Sequence, residues 1–338
     1  MLHNTVSCVL HNGHMSAYFL QKVGLRQGCN LSPLLFVISA EIMACRIRQS
    51  KLIHGIKLPL LDDNQELVIS QFADDTTLFV RDEESIINVL ETLETFSKIS
   101  GLHLNKSKSD AVWIGACRDS KQKVGDINWK LKPDNNIKIL GVVVNPCIKI
   151  ENLSLNWEPK MDVIERSIRA WTMRNLTMVG KILIVKSLLV SKLSFIGSIM
   201  NLPTDFVNRV NKMFFKFVWG GSEKVKRTTL INGYDKGGLN MINLRDFLDS
   251  LKMNWIQKLN DPHKSKWKNI PLYFLSKTHL GMSIFNSNCN LKTLHSSAKD
   301  ILKEMPPFYY GLIELWLTIK TTRTLEQSKN WTNQNNME

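Results

Sequence analysis

The sequence predicts an α+β fold in which short strands come first and helices follow. In the first hundred residues, paired runs of β-branched and aromatic residues are separated by turn signals. After about residue 157, apolar residues recur at helical spacing. The 338 residues and 43% apolar composition are enough to bury two or more cores. We therefore expect a sheet-containing N-terminal part and a helical remainder.

Charge is distributed unevenly along the chain. Residues 1–100 hold 8 Lys and Arg against 11 Asp and Glu, residues 101–232 hold 22 against 10, and residues 233–338 hold 14 against 9. A strongly basic middle segment suits a polyphosphate partner, because binding to such a partner releases counterions. A basic surface that is simply solvated is the alternative.

Cysteine usage and hydropathy indicate the environment of the protein. The six cysteines are scattered, with no Cys-x-x-Cys pair and no His at ligand spacing, which indicates reduced thiols in an intracellular protein. The sequence does not distinguish nucleus from cytoplasm. The most apolar stretch, residues 182–200, carries Lys186 and Lys192 in its interior, which favours a buried amphipathic helix over a membrane span.

The most informative stretch is residues 68–80, where two strand-like runs flank Asp74 and Asp75. This pattern predicts a hairpin with both carboxylates at or near its tip. Two anions about 4 Å apart repel by roughly 4 kcal/mol at an effective dielectric of about 20, so the pair needs either water or a cation. The alternative is an ordinary turn, because Asp is a common turn residue.

A second informative region lies near the N-terminus. Residues 5–20 predict a hairpin around Asn12-Gly13, so the chain begins within a sheet element and we expect missing material upstream. A loop with Gly28 then leads into an apolar helix through about residue 43, with Ser32 predicted as the N-cap and Pro33 at the first helical position. Because this helix is largely apolar, we expect it to be buried.

Further elements follow in order. A helix is predicted from about residue 82 to Gly101, and residues 138–144 predict a strand. Helical patterns begin near 157, and residues 206–218 trace an apolar stripe with lysines on the opposite face. Residues 327–338 are polar and predict a loose tail.

In this order, the segments resemble the reverse transcriptases of non-LTR (LINE-type) retrotransposons. The matching segments are residues 24–36, 72–75, 100–105 with Lys108, 139–141, Trp171, 180–181, 219–221, 226–227, 237–239 and Trp255. Each segment alone is a weak signal, but their shared order makes the resemblance specific. It argues against the two alternatives, an unrelated domain with a chance Asp-Asp turn and a group II intron maturase.

The resemblance implies a partial right-hand polymerase. Residues 1–150 would form part of the palm, an antiparallel sheet with packing helices. Residues 151–260 would form the helical thumb and post-polymerase segment, and residues 261–338 a weakly defined C-terminal region with a polar tail. The implied activity is RNA-directed DNA synthesis with two Mg²⁺ ions. The implied partners are an RNA template, a DNA primer and deoxynucleoside triphosphates, with no membrane and an unknown oligomeric state.

The resemblance also implies roles for individual residues. Asp74 would be the main catalytic metal ligand and Asp75 its weaker partner, because neighbouring side chains on extended backbone diverge. The remaining sets are a nucleotide and template pocket of Arg26, Gln27, Gly28, Phe72 and Lys108, a primer grip of Leu140 and Gly141, and nucleic-acid backbone contacts from Lys181, Lys212, Lys216, Lys224, Lys226 and Arg227.

Two departures from the family pattern matter. Asn30 stands where the family usually has Pro, which affects only loop stiffness. The family's other essential metal carboxylate lies on a strand upstream of these segments, and this chain has no counterpart to it. We therefore expect a chain that is truncated at the N-terminus and inactive alone. The alternative is a non-catalytic, basic nucleic-acid-binding remnant.

Overall fold

A computed structural model describes residues 5–20, 28–60, 65–131, 136–145, 153–286 and 292–319. Contacts divide the chain into two compact units. The first comprises residues up to Lys132 apart from 58–60, and the second comprises 58–60 and the chain from Pro133 onward. The three-part division at residues 150 and 260 stays a prediction.

The described strands of the first unit pair two by two. The pairs are β1 (Val6–Ser7) with β4 (Phe19–Leu20), β2 (Leu10–His11) with β3 (His14–Met15), β5 (Ile69–Phe72) with β6 (Asp75–Leu78), and β7 (Asp110–Ala111) with β8 (Asn128–Trp129). The first three pairs are antiparallel and the last is parallel. The sequence predicts one antiparallel palm sheet, but the described ranges contain separate two-stranded pairs instead. Their strands are only two to four residues long.

The N-terminal hairpin is confirmed. Asn12 and Gly13 join β2 to β3 with φ angles of 50° and 83°. Positive φ at both loop positions is the requirement of a type I′ turn, which Asn-Gly satisfies with little strain.

Two helices pack on the first unit's small core. They are α1 (Ser32–Gln49) and α2 (Glu83–Ser100). One buried cluster comprises Ala44, Ile47, Ile53, Val68, Ile69 and Val89, and a second comprises Ile86, Val124 and Trp129. Burial within this unit is therefore limited to a few apolar side chains from each element.

Two expectations about α1 are wrong. The helix begins at Ser32, so Leu31 occupies the N-cap position, and its apolar side chain cannot form a capping hydrogen bond. Of its apolar side chains only Ala44 and Ile47 are buried, because among the described elements α2 and β5 provide most of the packing against it. The exposed apolar residues of α1 are Leu34, Val37, Ile38 and Ile42, each 60–62% exposed.

The boundaries predicted for α2 are confirmed, and both ends have a local cause. The Asp82 carboxylate accepts a hydrogen bond of 2.8 Å from the Ser85 backbone N–H, which satisfies one of the helix's orphan donors. Gly101 ends the helix with a φ of 73° and donates its N–H to the carbonyl of Ser97. Left-handed backbone at this position is the usual role of Gly.

The second unit begins with a hairpin of β9 (Ile137–Ile139) and β10 (Val142–Val144). The single strand predicted over 138–144 is therefore wrong, because Leu140 and Gly141 turn the chain with φ angles of 48° and 84°. Asn156 holds β10 with two 2.8 Å hydrogen bonds, accepting from the Val143 N–H and donating to the Val143 carbonyl.

Helices make up the rest of the described second unit. In chain order they are α3 (Leu153–Thr172), α4 (Met178–Ile184), a π-helical segment (Val185–Leu189), α5 (Ser191–Ile199), α6 (Thr204–Trp219), α7 (Arg227–Ile231), α8 (Leu244–Asn260), α9 (Asn269–Lys277), α10 (Ser296–Glu304) and a stretch over 307–319. Thr177 caps α4 and Gly220 ends α6.

The main core of the second unit surrounds α6. The predicted apolar stripe of α6 is confirmed, since seven of its side chains are buried against α3, α4 and α8. They are Phe206, Val207, Val210, Phe214, Phe215, Phe217 and Val218. The apolar side chains of α6 are therefore covered by the apolar faces of these three helices.

The apolar stretch from 182 to 200 is a bent helical run of α4, the π-helical segment and α5. Ile182, Val185 and Leu193 are buried in the main core. In the described ranges, no single helix has the length and hydropathy needed to cross a membrane, and by those two criteria only the bent pair Met178–Leu189 and Ser191–Ile199 would pass together.

A second apolar cluster lies near the C-terminal end and shares α8 with the main core. Leu248 of α8 packs in the main core, and Ile256 packs in the second cluster. Asn201 joins several segments, because its carbonyl accepts from the Trp157 indole, its Oδ1 accepts from Lys252 Nζ at 3.2 Å, and its Nδ2 donates to the carbonyl of Pro307 at 2.9 Å. Gly311 also approaches Asn201 closely, since a Cβ there would lie 2.6 Å from Oδ1.

Candidate active site

The predicted Asp-Asp hairpin is confirmed. Residues Ile69 to Phe72 pair with Asp75 to Leu78 in register, so that Phe72 lies opposite Asp75 and Ile69 opposite Leu78. Ile69 and Leu78 belong to the core of the first unit, which anchors the base of the hairpin. The far end of the hairpin therefore presents Asp75 on β6 and places Asp74 in the turn.

The turn itself has an unusual backbone. Ala73 is the first loop residue and has a φ of 53°. A type II′ turn needs positive φ at this position and normally has Gly there, so Ala costs about 1–3 kcal/mol of local strain. Strain of this kind is concentrated at functional sites, where the surrounding structure fixes a chosen side-chain direction.

Both carboxylates are accessible. Asp74 and Asp75 are exposed, as is Phe72. Within the part of the chain that the structure describes, neither carboxylate forms a hydrogen bond or ion pair. Their oxygens are therefore available to bind a cation. A bound cation would offset the electrostatic repulsion between the two carboxylates.

The donor set fits a magnesium ion held together with a substrate. No cluster of three or more His, Cys, Asp or Glu side chains able to hold a metal occurs within the described ranges. Mg²⁺ differs from metals that need such a cage, since it is usually bound by one or two carboxylates, waters and substrate phosphates. Asp74 and Asp75 could supply the carboxylates, and the bound ion would supply charge stabilisation at a phosphoryl group.

The loop predicted to line the nucleotide pocket is described only in part. Arg26 and Gln27 lie outside the described residues. Gly28 has a φ of 83°, and no described atom lies within 4 Å of the position where a Cβ would stand. Just after this loop, the hydroxyl of Ser32 is buried and has no hydrogen-bond partner among the residues that the structure describes. The N-terminus of a helix favours the binding of an anion. An unsatisfied hydroxyl at this position could donate a hydrogen bond to such an anion.

Lys108 lies in a separate turn of the same unit. Its backbone N–H donates to the Asn105 side chain within the short helical turn Lys106–Lys108, and its side chain is exposed. Lys106 is instead held in an ion pair with Asp126 at 3.3 Å. Of the two lysines in this turn, Lys108 therefore has the ammonium group available to a phosphate.

The predicted primer-grip residues occupy the tip of the β9–β10 hairpin. Leu140 and Gly141 form a two-residue loop with positive φ at both positions, the geometry of a type I′ turn. Leu140 is 45% exposed. The structure therefore presents these two residues together at a hairpin end.

The six predicted backbone-binding cations differ in their surroundings. Lys212 and Lys216 lie one turn apart on the exposed face of α6, and Lys224 and Lys226 are also exposed. Lys181 lies over the Phe217 ring at 5.8 Å. These positions leave the ammonium groups of the four exposed lysines accessible to solvent.

Arg227 differs from these lysines because it already has protein partners. It forms an ion pair with Glu223 and stacks over the Phe215 ring at 4.9 Å. The hydrogen bond to Glu223 raises the pKa of Arg227 and lowers the pKa of Glu223. The nucleic-acid role of all six residues stays a prediction.

Three residues have surroundings in the structure that the sequence-based prediction does not contain. The buried Ser32 hydroxyl was assigned only a capping role, which α1 does not use. Asn156 and Phe195 carry no local signal, since the importance of each depends on the β9–β10 hairpin that lies against it in the fold.

Comparison with known proteins supports the assignment of the first unit. Residues 2–144 match the family described as reverse transcriptase (RNA-dependent DNA polymerase). Over 239 residues, 70% of this chain, the sequence is 24% identical to the transposon TX1 uncharacterized 149 kDa protein of Xenopus laevis. The match covers 18% of that relative, so this chain spans less than a fifth of its length.

The matched region contains the Asp-Asp hairpin, the Gly28 loop, α1, α2 and the β9–β10 hairpin. The match to the relative is longer than the family match, since it covers 239 residues and the family match covers residues 2–144 only. The resemblance predicted from the order of short segments is confirmed by these two findings: residues 2–144 match the reverse transcriptase family, and the chain is similar to a transposon protein.

Proposed function

We propose that this chain serves in RNA-directed DNA synthesis, with Asp74 and Asp75 binding Mg²⁺ against the phosphates of an incoming deoxynucleotide. The observation that carries the proposal is the strained hairpin end, which presents two exposed carboxylates without protein partners in the described ranges. The family match over the same residues supports it.

The two carboxylates have unequal roles in this proposal. Asp74 lies in the turn, whereas Asp75 is part of the β6 ladder opposite Phe72. Because their backbone settings differ, both side chains cannot approach one ion equally well. Asp74 would be the main ligand, and Asp75 would contribute at longer range or hold a bound water.

The nucleotide and the nucleic acid would be held by other parts of the chain. Gly28, with its open side, and the N-terminus of α1 at Ser32 suit the close approach of a phosphate or base. The exposed ammonium of Lys108 would neutralise phosphate charge. Leu140 and Gly141 would contact the primer end, and the exposed lysines of the second unit would contact the nucleic-acid backbone.

A metal-binding experiment tests this function without requiring turnover. Binding of a deoxynucleoside triphosphate in the presence of Mn²⁺, followed by the water-proton relaxation of the bound ion, should weaken about tenfold or more in Asp74→Asn. It should weaken less in Asp75→Asn. Asp119→Asn removes an exposed carboxylate outside the hairpin and serves as the matched control. Equal binding by all three variants would contradict the proposal.

Primer extension tests the activity itself. The expectation that the chain is inactive without an upstream carboxylate stays a prediction, and vigorous Mg²⁺-dependent extension by the purified chain would show that expectation to be wrong. Extension that is absent at every Mg²⁺ concentration, together with intact Asp74-dependent metal binding, is the outcome that we expect.

A second candidate function is nucleic-acid binding without catalysis. The observation that favours it is the pair of exposed lysines on α6, Lys212 and Lys216, which form no ion pair in the described structure. Salt-dependent binding of RNA or DNA that is unchanged in Asp74→Asn, combined with no Asp74-dependent metal binding, would favour this candidate over the first.

A further inference from the structure

The turn of the β2–β3 hairpin brings two histidines together. His11 ends β2, His14 begins β3, and the two residues are paired directly across the hairpin. Residues that lie directly opposite each other in an antiparallel pair have Cβ atoms about 4.5–5.5 Å apart on the same face. A spacing of three residues indicates no metal site by itself, so only the register of the hairpin reveals that both imidazoles share one face.

The separation of the two side chains suits chelation of one ion. Metal–nitrogen bonds to histidine are about 2.0–2.1 Å long, so two imidazole nitrogens on the same ion lie about 3 Å apart. Histidines with neighbouring Cβ atoms can reach this arrangement by side-chain rotation. Asn12 and Gly13 hold the register with φ angles of 50° and 83°, which suit these two residue types. Because the backbone is already in place, little conformational freedom is lost when an ion binds.

Both imidazoles are accessible. His11 and His14 are exposed, and within the part of the chain that the structure describes neither ring has a hydrogen bond, ion pair or ring contact. They contribute nothing to a core, and two protonated imidazoles directly opposite each other would destabilise the hairpin. Packing therefore gives no reason for this pair, whereas a shared cation would stabilise it.

The surroundings do not oppose a bound cation. Residues 5–20 contain no Lys, Arg, Asp or Glu, so this segment has no ammonium group to repel an ion and no carboxylate to pair with an imidazole. The Cys8 thiol contacts the Met15 thioether at 4.0 Å. Met15 pairs with Leu10, one position along from the histidines, so this sulfur pair lies on the opposite face. The ligand set on the histidine face is therefore nitrogen alone.

We propose that His11 and His14 chelate one divalent transition-metal ion of the class of Ni²⁺, Cu²⁺ and Zn²⁺. Neutral imidazole is the commonest metal ligand and suits these ions, whereas Mg²⁺ prefers oxygen. No cluster of three or more His, Cys, Asp or Glu able to hold a metal occurs in the described ranges, so water completes the coordination. The ion would link the two strands beside the turn. This site differs in chemistry from the carboxylates of the Asp-Asp hairpin and does not rest on the function proposed for them.

Isothermal titration calorimetry of the untagged full chain with Ni²⁺, in the presence of excess Mg²⁺, tests the proposal. His11→Ala and His14→Ala should each weaken binding about a hundredfold, because each converts a two-point attachment into a single contact. The double variant should bind only slightly more weakly than either single variant, since either substitution alone already removes the chelate. Circular dichroism checks that each variant is folded.

His103→Ala is the matched control. It removes an exposed histidine of the same unit outside the hairpin and should leave Ni²⁺ affinity unchanged. Hydrogen–deuterium exchange then locates the ion. Ni²⁺ should slow amide exchange in peptides within residues 5–20 of the unmodified protein and of His103→Ala, and should have no such effect in His11→Ala.

Three outcomes would overturn the proposal. The first is equal Ni²⁺ affinity of His11→Ala, His14→Ala and His103→Ala, and the second is a loss in the double variant equal to the sum of the two single losses in free energy. The third is unchanged amide exchange of the hairpin in the presence of Ni²⁺. The Mn²⁺–nucleotide experiment on Asp74→Asn has an independent result, so failure of one proposal is distinguishable from failure of the other.

Discussion

Helices α1 and α6 are both rich in apolar residues, yet their burial differs. Along α6, seven side chains are buried against three other helices. Along α1, Leu34, Val37, Ile38 and Ile42 are 60–62% exposed, and only Ser32, Ala44 and Ile47 are buried. An apolar sequence therefore predicts that a helix can be buried, but burial also requires a partner surface of matching width. An exposed apolar face of this size is typical of a surface that contacts another molecule.

The largest effect expected from this contrast is at Phe214 of α6. Phe214 is completely buried, so Phe214→Ala should lower the free energy of unfolding by about 3–5 kcal/mol. Phe72→Ala in the first unit removes the same atoms from a side chain that is 68% exposed and should cost little. Urea unfolding followed by circular dichroism measures both. A similar loss in the two variants would break the comparison.

The contrast is sharpest between two valines. Val210 of α6 is fully buried, and Val37 of α1 is 62% exposed. Val210→Ala should cost about 2 kcal/mol, from lost transfer free energy and the residual cavity, whereas Val37→Ala should change stability by less than about 0.5 kcal/mol. A cost for Val37→Ala as large as that for Val210→Ala would mean that α1 is covered in solution, for example by another copy of the chain.

A third prediction concerns the buried Lys252 of α8. Burial lowers the pKa of Lys252 to about 8, although Asp249 favours the charged form and Arg245 opposes it. In the unfolded chain this lysine titrates near its ordinary value of 10.5, so unfolding takes up a proton between these two pH values. Stability should therefore rise by roughly 1.5 kcal/mol from pH 8 to pH 9.5.

Lys252→Met provides the control for this titration. The variant should lose the rise in unfolding free energy between pH 8 and 9.5, as measured by urea unfolding at each pH. Work above pH 10 is avoided because burial raises the pKa values of Tyr309 and Tyr310, whose ionisation would oppose the effect. An identical pH dependence in the variant would show that other groups cause the rise.

The smallest effect is expected at the N-cap of α2, in the unit that contains α1. Burial acts to raise the pKa of Asp82, but hydrogen bonds from Ser85 outweigh it, so the pKa lies below its ordinary value. Asp82→Ala should cost about 1 kcal/mol at neutral pH, and Asp82→Asn should cost less because Asn also caps helices. The cost of Asp82→Ala should diminish as pH falls through the pKa of Asp82, because the protonated carboxyl is a weaker acceptor.

Much of the local structure could be predicted from the sequence because its causes are local. The Asn12-Gly13 turn, the Asp82 and Thr177 caps, and the Gly101 and Gly220 helix ends each depend on one or two residues. The Asp-Asp hairpin was predictable because residues that favour strands, mainly β-branched and aromatic ones, flank the acidic pair on both sides. The α6 stripe was predictable because its spacing matches a helix with one buried face.

Other features could not be predicted because they depend on distant parts of the chain. The hairpin at 137–144 has Leu140 in a turn position, so residue preference favoured a continuous strand. The exposure of α1 depends on which elements cover it, and composition does not contain that information. The contacts of Asn156 and Phe195 with the β9–β10 hairpin exist only because α3 and α5 lie against it.

Asn201 has a consequence for how the second unit comes apart. Its backbone and side chain contact Trp157 of α3, Lys252 of α8 and the carbonyl of Pro307, three positions far apart in the sequence. Removing the segment that begins near 307 would strip an acceptor from the Asn201 amide and uncover α8. The last helices therefore contribute to the stability of the second unit. Limited proteolysis of the folded chain should yield no stable fragment that ends between α8 and residue 307.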